Sequence, residues 1–263
     1  MILTDLKECD YEQEKQGEKE KTVGDHILTI VLIVAICIFC YAAFNLYHIY
    51  TEYKKGTDEY NSISEMAVTE RDPDQVEEID QPDEQPVAPV SIDFDSLRSI
   101  NEDVIGWIYM EALPEISYPV VQGEDNNFYL HQTYEKNYNF AGTIFIDYEN
   151  KRDFSDCNTL VYGHNMKDGT MFSDLLQYKR ESFWEQHRII RFDTLTAQAE
   201  YTVMAVFRGE AEDLFAYYQC TDAETPQEFA AYVDACKNAA LYETGVTAAY
   251  GDKLLTLSTC DDS

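Results

Sequence analysis

The sequence has few basic residues. Its 19 lysines and arginines stand against 50 aspartates and glutamates, which leaves a net charge of −31 over 263 residues. A chain this acidic repels phosphate backbones, so we exclude nucleic acid as a partner. The sequence also lacks a Walker loop, a Rossmann glycine pattern and, outside its apolar segment, histidines and cysteines at paired ligand spacings. We therefore expect neither a metal nor any other cofactor.

The cysteines do not form a disulfide framework, because there are seven of them and their spacing is irregular. The C-x-x-C pair of Cys37 and Cys40 lies inside an apolar segment, where helix packing or lipid contact is a better interpretation than metal binding. A disulfide between Cys220 and Cys236 is compatible with the sequence, but nothing demands it. The disulfide state of Cys157 is equally open.

Composition divides the chain into four parts. Residues 1–26 are a polar N-terminal tail, and residues 27–47 are 21 uncharged, mostly apolar residues. A helix of that length crosses a hydrocarbon core of roughly 30 Å. Residues 48–90 form an acidic, proline-containing linker, and residues 91–263 form the folded domain. Between residues 58 and 89 there are 11 acidic residues and four of the seven prolines, so we expect an extended spacer.

The apolar segment is interpreted as an uncleaved signal anchor. A cleavable signal peptide is the alternative, but the segment is long for one and no small-x-small cleavage site follows it. Four lysines precede the segment and two follow it closely, which favours a cytoplasmic N-terminus and an extracellular domain.

The folded domain is predicted to be mainly β, either a barrel or a sandwich with helical insertions. A short helix is expected within residues 91–100, another near Asn126–His131, and a longer one from about Pro226 to Tyr242. The predicted strands are Val104–Met110, Tyr118–Gln122, Gly142–Asp147, Thr159–Tyr162, Arg188–Phe192, Glu200–Arg208 and Lys253–Thr259.

Two of these strands lead to residues that are able to do chemistry. The apolar run Leu254–Thr259 ends at Cys260, and Thr159–Tyr162 is followed by a glycine and then His164. Taken singly, each residue fits an ordinary buried cysteine or loop histidine. Taken together with their flanks, they predict a thiol nucleophile and its imidazole partner. The imidazole would favour the thiolate and then protonate a leaving amine.

The same residues resemble a known family. The segment Thr256–Cys260, TLSTC, is similar to the T-L-x-T-C signature of sortases, and Tyr162–Asn165, YGHN, is similar to their histidine loop. The resemblance covers about residues 91–263. Four further segments resemble class B sortases in particular, at residues 105–108, 118–122, 140–145 and 164–172. The long helix before the final strand is also similar to that class.

The resemblance implies a sortase-like closed β-barrel with helical insertions, preceded by one transmembrane helix. It implies a cysteine transpeptidase of Gram-positive bacteria, held in the cell membrane by a single span. Cys260 would attack the threonine carbonyl of a sorting motif near the C-terminus of a secreted protein. A peptidoglycan cross-bridge amine or a pilin lysine would then accept the acyl group. Water as the acceptor would make the protein a plain cysteine protease, and class B favours wall anchoring over pilus assembly.

The resemblance also implies substrate contacts at Asn126, Leu130, Tyr162, Ser258 and Asp261. The ordinary alternatives are a core leucine, a helix-capping asparagine and a solvated loop acid. His131 is a further candidate for lining the cleft.

One feature of the family is not found in this sequence. Sortases need an arginine, on a strand after the cysteine, that stabilises the oxyanion. The sequence ends three residues after Cys260, and all its arginines precede that residue. We therefore expect a C-terminally incomplete domain with an unpaired barrel edge and impaired activity. A catalytically impaired module that binds sorting peptides is the alternative function.

Overall fold

The computed structural model describes residues 23–71, 89–209 and 215–259. The chain forms two compact units, Met1–Ile49 and Tyr50–Ser263. The helices are α1 (Val23–Ala67), α2 (Phe94–Ile100), α3 (Glu181–Gln186) and α4 (Pro226–Ala239), with 3₁₀ helices at Ser173–Lys179 and Tyr217–Gln219. The strands are β1 (Val68–Glu70), β2 (Val90–Ile92), β3 (Val104–Tyr109), β4 (Ser117–Val121), β5 (Ile144–Ile146), β6 (Asn158–Tyr162), β7 (Ile189–Thr194), β8 (Gln198–Thr202) and β9 (Leu254–Ser258).

The N-terminal part of α1 carries the apolar segment. One 18-residue window of this helix has a mean hydropathy of 2.9, and none of that window is buried. By length and composition the helix is able to cross a membrane. It is the one helix of the described ranges with that property.

The remainder of α1, from Tyr50 onward, corrects the predicted spacer. Gly56, Tyr60, Ile63 and Ala67 are buried at helical spacing, and the last three belong to the main core. Composition predicted an extended spacer because the acidic side chains outnumber the apolar ones. A single stripe of four residues is nevertheless enough to dock one face of a helix, since Asp58 and Glu65 are exposed and Glu59 accepts from the Glu135 amide at 3.0 Å.

A short ribbon follows α1. Strand β1 pairs with β2 in antiparallel register, with Val68 opposite Ile92. Residues 72–88 of the expected linker lie outside the described residues. The folded domain therefore includes residues that the sequence placed before its start.

The main sheet has seven strands in the order β8-β7-β3-β4-β5-β6-β9. Neighbours are antiparallel except for the two parallel pairs β4–β5 and β6–β9. The sheet forms a nearly closed barrel in which β8 and β9 are the end strands of the described part. The mainly β barrel fold is confirmed. Six of the seven predicted strands agree with the observed ones within two residues at either end, whereas the predicted strand Glu200–Arg208 corresponds to β8, which already ends at Thr202.

The predicted helix near Asn126–His131 is wrong, because this segment is a series of turns. Asp125 Oδ1 accepts from the amides of Asn127 and Phe128, which makes a local turn. The carbonyl of Tyr129 accepts from the Thr143 amide at 3.0 Å. A carbonyl that is committed to a distant donor is not available for a helical ladder.

Helix α4 begins with a capping box, in which Thr225 accepts from the Glu228 amide and the Glu228 side chain returns to the Thr225 amide. Its residues Phe229 and Val233 form a second small core. The helix also brings the Tyr232 hydroxyl within 3.0 Å of Asn158 Nδ2 on β6. This hydrogen bond fixes helix α4 to β6, the strand that leads to His164.

Candidate active site

His164 lies two residues beyond the end of β6, at the start of a tight loop. Its carbonyl accepts from the Phe172 amide at 2.9 Å, and Asn165 forms a β-bridge with Met171, so the loop closes on itself. Gly163 packs closely against its neighbours, since an added Cβ would lie 2.5 Å from Ile144 Cδ1 and 2.7 Å from the Phe172 ring, so any other residue would require these side chains to move. The histidine is half-buried on a rigid support.

The imidazole has a defined partner. His164 Nε2 lies 2.9 Å from the carbonyl oxygen of Leu130. A carbonyl only accepts, so Nε2 must carry a proton and donate it. Nδ1 is therefore the nitrogen that is left to exchange a proton with another group.

The strands that lead to His164 and Cys260 are neighbours. Strands β6 and β9 pair in parallel, with Tyr162 opposite Ser258. The Gly163 amide donates to the Ser258 carbonyl at 3.1 Å, which extends the pairing by one step. In sequence, His164 and Cys260 each follow this pair by two residues. Cys260 and Asp261 themselves lie outside the described residues.

One buried carboxylate joins two of the predicted substrate-binding residues. Asp147 is 5% exposed. Its Oδ2 accepts from Asn126 Nδ2 at 2.9 Å and from the Tyr162 hydroxyl at 3.0 Å. Asn126 Oδ1 in turn accepts from the Tyr148 amide at 3.0 Å. Asp147 was not predicted from the sequence, where it is only an acid that follows a short apolar strand.

The surroundings of Tyr162 keep its phenol protonated. Burial raises the pKa of Tyr162, and the negative charge of Asp147 raises it further. Its ring packs against Phe145 with centroids 5.4 Å apart. The hydroxyl therefore stays a hydrogen-bond donor across the neutral pH range.

Ser258 also has a partner that sequence reasoning missed. Its hydroxyl lies 3.0 Å from the hydroxyl of Tyr217, in the segment between β8 and α4. The sequence offers a weak signal here, a cluster of aromatic residues at 215–218. Among the candidate residues, the structure links Asn126 with Tyr162 and Leu130 with His164, and it pairs Tyr162 with Ser258 across the strands.

His131 lies near His164, with the two rings nearly parallel and their centroids 6.2 Å apart. It is exposed, and its ring also lies near Tyr138, at 6.4 Å between centroids. His131 is therefore a neighbour of the candidate base that remains open to solvent.

The other thiols of the barrel unit are free and are held in the protonated form. Burial raises the pKa of Cys157 and of Cys236 to about 11, and it also raises the pKa of Cys220. All three are unpaired in the structure. A thiol that is protonated at neutral pH is a poor nucleophile. In the described ranges, no group of three or more histidine, cysteine or acidic side chains is arranged to hold a metal ion.

The barrel is nearly closed and its sheet is mixed, and it places a histidine loop beside the strand that precedes a cysteine. This arrangement indicates a class of thiol enzyme. Comparisons with known proteins identify the family. Residues 108–263 match the family model described as the sortase domain. Sortase B of Staphylococcus aureus is 30% identical over 236 residues, which cover 90% of either chain. Sortase B of Listeria monocytogenes is 36% identical over 165 residues, or 63% of this chain and 65% of the relative.

Solved structures agree. A Bacillus anthracis protein described as similar to sortase B has a TM-score of 0.66 at 31% identity, over 80% of this chain and 92% of that one. The Staphylococcus aureus sortase B–substrate complex has a TM-score of 0.60 at 35% identity, over 65% and 77% respectively. The chain belongs to the sortase family of cysteine transpeptidases and to its class B.

Proposed function

We propose that this protein is a membrane-anchored transpeptidase that cleaves a sorting motif of secreted proteins after threonine. It transfers the threonyl acyl group to an amine of the cell wall. Cys260 is the nucleophile and His164 is the acid–base partner. The single observation that carries the proposal is the parallel pairing of Tyr162 with Ser258, because both residues precede their chemical residue by two positions.

The proposed proton transfers depend on which ring nitrogen of His164 carries a proton. Because Nε2 donates to the Leu130 carbonyl, Nδ1 takes the thiol proton and leaves a thiolate. The thiolate forms a bond to the threonine carbonyl carbon, and the tetrahedral intermediate collapses with loss of the C–N bond. His164 gives its proton to the leaving amine, and a thioester remains. An incoming amine attacks the thioester, returns its proton to His164 and releases the thiolate.

The substrate groove is assigned to residues around the Tyr162–Ser258 pair. Asn126 and Tyr162 are held by Asp147. The Leu130 carbonyl binds His164, and the partly buried side chain of Leu130 packs against the main core, so we assign only its exposed part to the groove. We assign Asp261, which follows the nucleophile directly, to the same groove. Support comes from the Staphylococcus aureus relative, whose structure is described as a substrate complex.

The acceptor is assigned to the amine class. One solved sortase B structure is described as a complex with triglycine, a peptide with a free amino terminus. A peptidoglycan cross-bridge amine fits this chemistry, and we assign it as the acceptor in preference to a pilin lysine. The apolar part of α1 anchors the protein in the cell membrane, with the N-terminus cytoplasmic and the catalytic domain outside.

The test uses the full chain in detergent micelles with a pool of synthetic peptides. Each peptide carries a fixed threonine with varied flanking residues, and triglycine is the acceptor. We expect mass spectrometry to show a thioester on Cys260 and peptides that end in a threonine followed by three glycines. Both products should disappear in Cys260→Ala and His164→Ala.

Three other outcomes have defined meanings. Products that end only in a free threonine carboxylate, with triglycine present, would identify a cysteine protease. Peptide retention without any thioester would identify a peptide-binding module. Thioester formation that survives in His164→Ala would remove the assigned role of the histidine.

A further inference from the structure

We propose that Tyr60, on the barrel-packed part of α1, is a positioning residue for His164. The proposal rests on the proposed function, since it gives His164 its catalytic task. Tyr60 is 7% exposed, and it contacts Gly142 and Tyr118, the neighbours of the two segments that hold the histidine. Two separate chains of contacts connect Tyr60 to His164, one through Gly142 and one through Tyr118.

The first set runs through hydrogen bonds. The Tyr60 hydroxyl donates to the Gly142 carbonyl at 2.7 Å and lies 3.1 Å from the Thr143 hydroxyl. Gly142 fits against the next segment so closely that a Cβ would lie 2.6 Å from the Leu130 carbonyl oxygen. That oxygen accepts from His164 Nε2 at 2.9 Å. Gly142 therefore lies close against the carbonyl that holds the imidazole, and we expect a shift of Gly142 to displace that carbonyl.

The second set runs through aromatic packing. The Tyr60 ring meets the Tyr118 ring edge to face, with centroids 5.3 Å apart. The Tyr118 hydroxyl accepts from the Met171 amide at 3.0 Å. Met171 is the bridge partner of Asn165, the residue after His164. Tyr60 thus supports the backbone of the histidine loop as well as the carbonyl that fixes its ring.

The physical role is preorganisation. A half-buried imidazole must keep one orientation if Nδ1 is to meet a thiol, and small displacements cost much of the rate. The Leu130 carbonyl lies in a turn with no helical ladder to hold it. The buried Tyr60 hydroxyl, which is carried by helix α1, binds the neighbouring Gly142 and so limits the movement of the Leu130 carbonyl.

The test follows the imidazole itself. The full chain is labelled with ¹⁵N-histidine in detergent micelles, which limits the spectrum to five histidines. The His164 signal is assigned by its loss in His164→Gln. In Tyr60→Phe, which keeps the ring, we expect exchange of the Nε2 proton with water to rise about fivefold to tenfold. Thioester formation should slow by a similar factor without a change in KM.

Two further variants separate the contacts from general loosening. Tyr242→Phe is the matched control, because its hydroxyl also donates to a carbonyl, that of Tyr178, at 2.7 Å. It should leave the His164 signal unchanged. Tyr60→Leu, which removes the ring contact with Tyr118 as well, should exceed the effect of Tyr60→Phe.

The proposal is overturned if the His164 signal of Tyr60→Phe matches wild type, or if Tyr242→Phe shifts it equally. The imidazole signal is independent of turnover. A changed signal in a chain that forms no thioester would therefore support the positioning role while the proposed function fails.

Discussion

Tyr162 on β6 lies opposite Ser258 on β9, in parallel register at the end of the barrel sheet. Parallel strands end at the same edge, so residues that follow such a pair by equal numbers start from the same level. This relationship connects two short motifs that are about a hundred residues apart in the sequence. The strand before each motif therefore serves to set the level at which its chemical residue begins.

The register predicts that chain length after Ser258 is critical. Insertion of one alanine between Thr259 and Cys260 lengthens the connection from β9 to the thiol by one residue, which spans at most roughly 3.5 Å, while the connection from β6 to His164 is unchanged. We expect the methanethiosulfonate reaction of Cys260 at pH 7 to become insensitive to His164→Ala. The measurement is the ratio of the reaction rates with and without the histidine.

Thr259→Ala is the control for that insertion, because it alters the same position without altering its length. The Thr259 hydroxyl is buried and has no partner within the described residues, so its removal should be nearly neutral. If the inserted chain keeps its dependence on His164, the role of the register is disproved.

Gly142→Ala should damage both the fold and the site. Gly142 has a φ of +59°, and an added Cβ would lie 2.5 Å from the Tyr129 carbonyl oxygen. We expect a loss of about 2 to 4 kcal/mol of unfolding free energy, from backbone strain plus the clash. Urea denaturation of the full chain in micelles measures it.

Gly169→Ala is the matched comparison for strain without a clash. Its φ is +88°, and nothing lies within 4 Å of the added Cβ. We expect a loss of about 1 kcal/mol. Equal losses in the two variants would contradict the close packing of Gly142 against the segment that binds His164.

Asp147→Asn should weaken binding of the sorting peptide. Asp147 Oδ2 accepts from both Asn126 and Tyr162, so replacing the carboxylate by a neutral amide removes the charge that strengthens both hydrogen bonds. We expect KM for a sorting peptide selected from the synthetic pool to rise about fivefold to thirtyfold while kcat changes little, which corresponds to about 1 to 2 kcal/mol.

The control is Asp153→Asn, which removes an exposed carboxylate that caps only the turn at Ser155. It should leave KM within about twofold of wild type, the scatter expected for a surface change. A fall in kcat at constant KM in Asp147→Asn would instead place this carboxylate in the chemical step.

Two thiols, the partly buried Cys157 and the buried Cys236, predict a distinct pH profile. Because burial raises the pKa of Cys157 and Cys236 to about 11, from an ordinary 9.0, both should react about a hundredfold more slowly than a free thiol at pH 7.5. Their rates should climb as the pH approaches 11. Mass spectrometry of the alkylated, digested protein measures each site, with the urea-unfolded chain as reference.

The same shift has a consequence for stability. Between about pH 9 and 11 the unfolded chain releases these protons while the folded chain keeps them, so stability falls as the pH rises. Cys236→Ala should flatten this fall by up to ~3 kcal/mol over that window. Rapid labelling of Cys236 in the native state at pH 7.5 would show that the thiol is not buried.

Local pattern was enough for much of the fold. Residue type and spacing predict the apolar segment near the N-terminus, the start of α4 at its capping box and the seven strands of the barrel. The sequence also contains the docked face of α1, because Gly56, Tyr60, Ile63 and Ala67 recur at helical spacing. The prediction missed it because it averaged composition over the segment and ignored the helical spacing.

The sequence by itself determined the family, the two motifs that end in His164 and Cys260, and the strands that carry them, because short-range periodicity and residue chemistry are local properties. The tertiary structure alone decided the rest of the site. It turned the expected helix near Asn126 into turns by giving the Tyr129 and Leu130 carbonyls distant donors, and it placed Asp147 between Asn126 and Tyr162. Hydrogen bonds between residues far apart in the chain leave no periodic trace, so only the folded barrel reveals them.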